Sequence, residues 1–144
     1  MKSIVIAPGS MKYWLIKSEP GTYSIDDLKR DKTTSWTGIR NFQARNNLRL
    51  MESGDLCLFY HSREDKAVVG VAKVVKEAYP DETAKEGDWS AVGVAFVQKF
   101  KTMVPLSAIK ADPQFKKMQL VTHSRLSTQV VQEAEYKAIL VLAK

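Results

Sequence analysis

The sequence has few of the residues that build covalent or metal-bound sites. Of its 144 residues, one is cysteine and two are histidine. A lone Cys57 cannot form an internal disulfide, which fits a reducing compartment, and its apolar neighbours indicate a buried, inert thiol. Metal sites usually need three or four ligands in a recognisable spacing, and His61, His123 and Cys57 provide none. We therefore expect no metal and no cofactor.

Motifs of catalysis and of membrane insertion are also missing. The chain has no glycine-rich phosphate loop and no nucleophile elbow. Asp26 and Asp27, near Glu19, are better explained by helix capping than as catalytic carboxylates. No apolar run approaches the roughly 20 residues of a membrane span. The sequence thus predicts a protein that is not an enzyme and has no membrane partner.

Positive charge is what the chain has in excess. Its net charge is +6 at neutral pH, with a pI of about 9.4. Such an excess favours nucleic acid as the partner, although a basic surface without a partner is an open alternative. The length suits one domain, and we expect a monomer that is cytoplasmic, or nuclear in a eukaryote.

The first ten residues are set apart from the rest of the chain. Their apolar part is too short for a signal peptide, and Met11 directly precedes a strand-like segment. We interpret residues 1–10 as a leader or tag-like extension, with an extra edge strand as the alternative. The folded domain is expected to span residues 11–144.

The hydrophobic pattern predicts a mixed α+β fold. Alternating or continuous apolar runs indicate strands at 13–16, 56–61, 67–75, around 92–96 and at 119–124. Residues 33–36 are read as a loop, and a polar loop is expected from Tyr79 to Trp89. Helices are expected at about 41–51 and from about Gln132. The total of five or six strands with short helices suits a curved sheet or open barrel.

Residues 36–49 combine rings, amides and arginines more densely than any other segment. On a helix, Ala44, Leu48 and Met51 share a face that the core should claim. The opposite face carries Phe42, Arg45 and Arg49. That face suits a nucleic-acid backbone; the alternative is a ring packed under a loop and arginines in surface ion pairs.

Polar residues follow three predicted strands at the points where the strands end. Lys17 and Ser18 leave the first strand, Tyr60 to Ser62 end another, and residues 125–129 follow the predicted last strand. These exits form one wall of hydrogen-bonding groups if they converge. His61 capping a loop is an alternative, as is Trp36 serving as a hydrophobic plug instead of a stacking platform.

Several of these blocks together resemble the EVE domain family. The matching blocks are YWLIKSEP at 13–20, WTGIRNFQARN at 36–46, FYHS at 59–62, VVKEAYPD at 74–81, Trp89 and RLS at 125–127. The resemblance covers the chain from Met11 to Lys144. It implies a PUA-like pseudo-barrel, related to YTH domains, that binds a modified base, notably modified cytosine in DNA, by flipping the base into a pocket.

Carried over position by position, the resemblance gives a candidate site. The base-pocket candidates are Lys17, Ser18, Trp36, Arg40, Asn41, Tyr60, His61, Ser62 and Ser127. Trp89 is the rim candidate, and Phe42, Arg45 and Arg49 remain the candidates for backbone contact. The partner is then DNA or RNA that carries a modified base.

Two other functions are compatible with the same residues. One is an enzyme acting on a nucleic acid or nucleoside, with His61 as general base. The other is a module that binds a small molecule or a protein in the same pocket. Product formation that is abolished by His61→Ala, with folding intact, would support the enzyme alternative.

Overall fold

The computed structural model of this chain describes residues 11–144. The predicted leader at residues 1–10 lies outside the described residues. The strands in the described part are β1 Tyr13–Ser18, β2 Thr33–Trp36, β3 Leu56–His61, β4 Ala67–Pro80, β5 Ser90–Pro105 and β6 Thr128–Val131. The helices there are α1 Ile25–Asp31, α2 Phe42–Leu50, α3 Leu106–Ala111, α4 Gln119–Thr122 and α5 Glu133–Leu142.

All six strands belong to one mixed sheet in the order β2-β5-β4-β3-β1-β6. β1 and β3 run parallel, whereas the other neighbours run antiparallel. The long strands β4 and β5 pair through several register shifts, and such bulges bend and twist a sheet. The sheet is therefore curved, with β2 at one edge and β6 at the other, which confirms the predicted α+β class.

Strand β1 is buried on both faces and connects two core layers. Trp14 and Ile16 pack in one layer with Leu48 of α2, and Leu15 packs in the other with Ile139 of α5. Successive side chains of a strand point to opposite faces. The continuous apolar run of β1 thus fixes the sheet between the two helices.

Helix α2 confirms its predicted apolar face. Ala44, Leu48 and Met51 are buried. The helix begins one residue later than predicted because Asn41 is its N-cap, with Asn41 Oδ1 accepting a hydrogen bond from Ala44 N–H at 2.9 Å. This cap leaves the side chain of Asn41 in a fixed orientation.

Three sequence-based assignments are wrong. Residues 119–124 begin with α4 instead of forming the last strand, which is β6; a short apolar run does not distinguish a helical turn from a strand. Residues 33–36 form β2, where threonine and serine are mostly exposed because the strand lies at the sheet edge. Strand β4 continues through Pro80, where a loop was expected to begin.

Candidate nucleic-acid interface

A cavity of about 740 Å³ lies against the end of β1, edge strand β2 and the residue before β6. Six of the nine predicted pocket residues line it: Lys17, Ser18, Trp36, Arg40, Asn41 and Ser127. These residues come from distant parts of the chain. The fold therefore brings most of the candidate site to one place.

The ends of β1 and β3 and the segment before β6 meet at the backbone. Lys17 N–H donates to Ser127 O at 3.0 Å, and Ser62 N–H donates to Ser18 O at 2.9 Å. The Lys17 ammonium donates to Ser124 O at 2.6 Å, and burial lowers the pKa of that ammonium. These bonds fix one wall of the cavity without using the hydroxyl of Ser127.

Trp36 forms part of an apolar wall. Its ring meets those of Tyr23 and Phe59 edge-on, with centroid separations of 6.3 and 5.5 Å. Only 7% of Trp36 is exposed. Edge-to-face contacts of this kind add stability beyond burial alone, so Trp36 is a core residue that also borders the cavity.

A buried carboxylate shapes the turn between β2 and α2. Gly38 adopts a φ of 85°, which favours glycine, and its N–H donates to Asp81 at 2.9 Å. Arg40 pairs with the same Asp81 oxygen at 2.9 Å, and Thr83 donates to the other oxygen. Burial alone would raise the pKa of Asp81, but the hydrogen bonds from Thr83, Gly38 and Arg40 hold that pKa well below its usual range.

Asn41 lines the cavity and has an amide group whose orientation is set by the helix cap. Its oxygen is occupied by the cap to Ala44 N–H, and its nitrogen donates no hydrogen bond to the part of the chain from 11 to 144. An amide nitrogen carries two N–H donors. Because the cap fixes which end of the amide is oxygen, the nitrogen end remains a free donor at the border of the cavity.

Tyr60, His61 and Ser62 do not line this cavity. Tyr60 is buried in the second core layer, and burial raises the pKa of its hydroxyl. Ser62 is close to the cavity wall, with its Oγ 3.4 Å from Ser18 O. Strand β3 lies inside the sheet between β1 and β4, so its end is enclosed by neighbours.

His61 supports the start of α1. Its Nε2 accepts a hydrogen bond from Ile25 N–H at 3.0 Å, and its Nδ1 lies 2.8 Å from the Asp65 carboxylate. A ring that accepts at Nε2 carries its proton on Nδ1 and donates it to Asp65. Both nitrogens are thus engaged within the fold.

The predicted backbone-contact residues form a strip beside the cavity. Phe42 stacks on Trp89 with ring centroids 5.2 Å apart, and the Arg45 guanidinium lies 4.9 Å from the Phe42 ring. Arg49, the third of these residues, pairs with Asp88 at 2.7 Å.

Sequence reasoning missed Asp81, Tyr23 and Thr37. Tyr23 and Thr37 line the cavity, and Asp81 organises the turn that contributes Arg40 to it. Asp81 closes the VVKEAYPD block, which was the one signal that pointed to it. Within the described residues 11–144, no group of three or more His, Cys, Asp or Glu is placed to hold a metal, and none of the helices there is long and apolar enough to cross a membrane.

The curved mixed sheet with short surrounding helices places this chain in the PUA-like class of α+β folds. A family model for the EVE domain matches residues 12–142. The chain belongs to the EVE domain family, as the sequence blocks predicted.

Named relatives support the same family. Thymocyte nuclear protein 1 of Mus musculus is 40% identical, over 90% of this chain and 73% of that protein. A structure of human THYN1 in complex with DNA that contains 5-methylcytosine has 37% identity and a TM-score of 0.86, covering 92% of this chain and 98% of that one. A hypothetical protein from Leishmania major has 42% identity and a TM-score of 0.89, covering 93% and 95%.

Proposed function

We propose that this chain is a non-catalytic DNA-binding module that accepts a modified cytosine, flipped out of a duplex, in the cavity beside Asn41. Membership of the EVE family and the human THYN1 complex with 5-methylcytosine DNA support this proposal. The basic net charge agrees with a DNA partner. The site of action is then wherever cellular DNA lies, which is the cytoplasm, or the nucleus in a eukaryote.

The cavity has a size and lining that suit a nucleobase. At about 740 Å³, it lies within the range of roughly 300–1,000 Å³ that is usual for ligand pockets. Flipping a base costs a few kcal/mol, which the pocket must return by stacking and by hydrogen bonds to the base edge. Trp36 exposes little of its ring, so hydrogen bonds must carry a large share of that return.

The observation that carries the proposal is the amide group of Asn41, which the helix cap orients at the border of the cavity. Cytosine presents acceptors on its pairing edge, and an amide N–H fixed by the helix cap can donate to one of them. Glu19, which also lines the cavity, is of the residue type that accepts from the cytosine amino group. The added methyl group would contact Tyr23 or Ile39, and one methyl in an apolar pocket is worth about 1–3 kcal/mol.

The proposal excludes His61 as a general base for a ligand in this cavity. His61 is buried outside it, and both ring nitrogens are engaged by Ile25 and Asp65. A general base must reach the proton that it abstracts, directly or through one water. The enzyme alternative that used His61 is therefore not adopted.

The test compares duplexes that differ only at one central base: cytosine, 5-methylcytosine, 5-hydroxymethylcytosine or N6-methyladenine, at one fixed salt concentration. We expect the 5-methylcytosine duplex to bind about tenfold more tightly than the unmodified duplex, corresponding to the methyl contact. Equal, weak binding to all four duplexes would contradict the proposed function.

Asn41→Asp is the informative variant in that assay. The aspartate keeps a cap oxygen for Ala44 N–H but has no N–H to donate. We expect circular dichroism to be unchanged and the affinity for the 5-methylcytosine duplex to fall, because the donor to the pairing edge of the base is lost. Gln43→Glu is the matched control, since it adds the same charge at an exposed position of the same helix and should keep that affinity.

A further inference from the structure

Phe42 is a large apolar side chain that is exposed but held in place. It is 66% exposed, although it is the first residue of α2 and directly follows Asn41. Its ring lies nearly parallel to that of Trp89, with an interplanar angle of 16° and centroids 5.2 Å apart. The Phe42 ring is therefore exposed to solvent but held in one orientation by the Trp89 ring.

The outer face of the Phe42 ring is open. The Arg45 guanidinium lies 4.9 Å from the Phe42 centroid and 5.7 Å from the Trp89 centroid. A guanidinium on the face opposite Trp89 would be much farther from Trp89, because the two rings already lie 5.2 Å apart. Arg45 therefore sits beside the stacked pair, and one face of Phe42 remains available to a flat ligand.

The support under Phe42 is itself fixed to α2. Arg45 donates to Asp88 O at 3.1 Å, and Arg49 donates to the Asp88 carboxylate at 2.7 Å. Gly87 has a φ of 93°, and a Cβ there would lie 2.6 Å from Trp89 Nε1. The loop before β5 is thus held against α2, and its backbone conformation at position 87 requires glycine.

This stack stands at the border of the cavity. Phe42 follows Asn41 in the chain, and Arg40, which lines the cavity, places its guanidinium 5.7 Å from the Trp89 ring. Arg40 and Arg45 both lie against the Trp89 ring, and Arg49 is joined to the same loop through Asp88. Positive charge beside an exposed aromatic face suits a nucleotide, whose base can stack on the ring while its phosphate lies near the arginines.

An open phenyl face suits a base better than a phosphate. A phosphate takes hydrogen bonds and positive charge, which a phenyl ring lacks, whereas every base has a flat face that can stack. When a base leaves a duplex, its neighbours lose their stacking partner. Apolar side chains such as phenylalanine are known to insert between base steps in DNA.

We propose that Phe42 is the wedge of this module, which enters the duplex and stacks on the base pair next to the flipped cytosine while Trp89 supports it from behind. This inference rests on the proposed function and adds a role to it. Phe42 then acts on the opening of the duplex, and Asn41 acts on the base once it is out.

The experiment uses two substrates that carry the same 5-methylcytosine. In one it is paired with guanine in a duplex, and in the other it is a single-nucleotide bulge that is already unpaired. A wedge is needed only for the paired substrate. Phe42→Ala should therefore weaken binding of the paired duplex about tenfold, by the usual value of one aromatic–base stack, and leave binding of the bulge nearly unchanged.

Matched variants make the outcomes distinct. Leu50→Ala removes another exposed apolar side chain at the far end of the same helix and should change neither affinity, and Phe42→Trp should restore binding of the paired duplex. An equal loss on both substrates, or no loss on either, would overturn the wedge. Asn41→Asp should weaken both substrates; if it weakens neither while Phe42→Ala still affects the paired duplex, the pocket assignment fails and the wedge stands.

Discussion

Arg40 and Asp81, 41 residues apart in the chain, form an ion pair of 2.9 Å in which the carboxylate is fully buried. The same carboxylate accepts the Gly38 N–H. It therefore fixes the turn that carries both Arg40 and, one residue later, Asn41. The border of the cavity thus depends on Asp81, although Asp81 itself does not line the cavity.

Asp81→Asn should destabilise the fold by about 1–3 kcal/mol at neutral pH, because the buried carboxylate loses the charge that pairs with Arg40 and an amide N–H replaces one of its acceptor oxygens. The folded-state pKa of Asp81 is lowered, so its contribution is complete above the unfolded-state pKa of about 3.9 and is lost as pH falls below it. Denaturant titrations at neutral and acidic pH should show the two proteins converging in acid. Asp88→Asn, in the same loop but 80% exposed at the side chain, should show a much smaller effect.

His61→Ala should lower stability without lowering the DNA affinity of the folded protein. The substitution leaves the buried Ile25 N–H without its acceptor, which costs roughly 1–3 kcal/mol. Thermal unfolding and duplex binding, measured on the same preparation, check both parts. His123→Ala, at an exposed position, serves as the control. Loss of base preference in folded His61→Ala would show that this ring matters to the site after all.

Arg45→Ala should reduce affinity equally for modified and unmodified duplexes. A phosphate contact carries no base information, and each one lost lowers the slope of log affinity against log salt by about 0.9. Binding measured across a salt series gives that slope. Arg30→Ala is matched in type, since Arg30 pairs with Asp27 and Asp31 on α1. An unchanged slope for Arg45→Ala would remove it from the backbone contacts.

Gly87→Ala should displace Trp89 and weaken the support of Phe42. Its new Cβ would lie 2.6 Å from Trp89 Nε1 in a backbone conformation with φ of 93°. We expect weaker binding of the paired duplex. When Phe42→Ala is already present, we expect no further loss, since the effects of substitutions that act through the same contact are not additive. Gly54→Ala has a similar φ of 98° but open space around it, so it isolates the backbone strain. If the binding losses of Gly87→Ala and Phe42→Ala add fully in the double variant, Gly87 does not act through Phe42.

Local patterns predicted several of the helices and strands but not the long-range side-chain partners. The apolar face of α2 and the buried run of β3 were predictable because periodicity and continuous apolar residues are local signals. Residues that are far apart in the chain and meet in connecting segments, such as Arg40 and Asp81, have no such signal. His61 looked like a pocket residue because it ends a strand, but only the fold shows that α1 begins against it.

Trp36 illustrates the same limit within one residue. Its neighbours are threonine and serine, which made β2 look like a loop. Strand pairing with β5 and contacts with Tyr23 and Phe59 bury the ring. Full truncation would therefore cost about 3–5 kcal/mol of stability, which makes Trp36→Ala a poor probe of binding.

The wall shared by β1 and the residues before β6 has a consequence for how the protein folds. Lys17 and Ser124, joined by a hydrogen bond, are 107 residues apart, and closing so long a loop is entropically costly and slows folding. During synthesis, the chain cannot complete this wall until Ser124 and Ser127 have been added. The cavity is thus completed late in folding, when the segments around Lys17 and Ser127 have met.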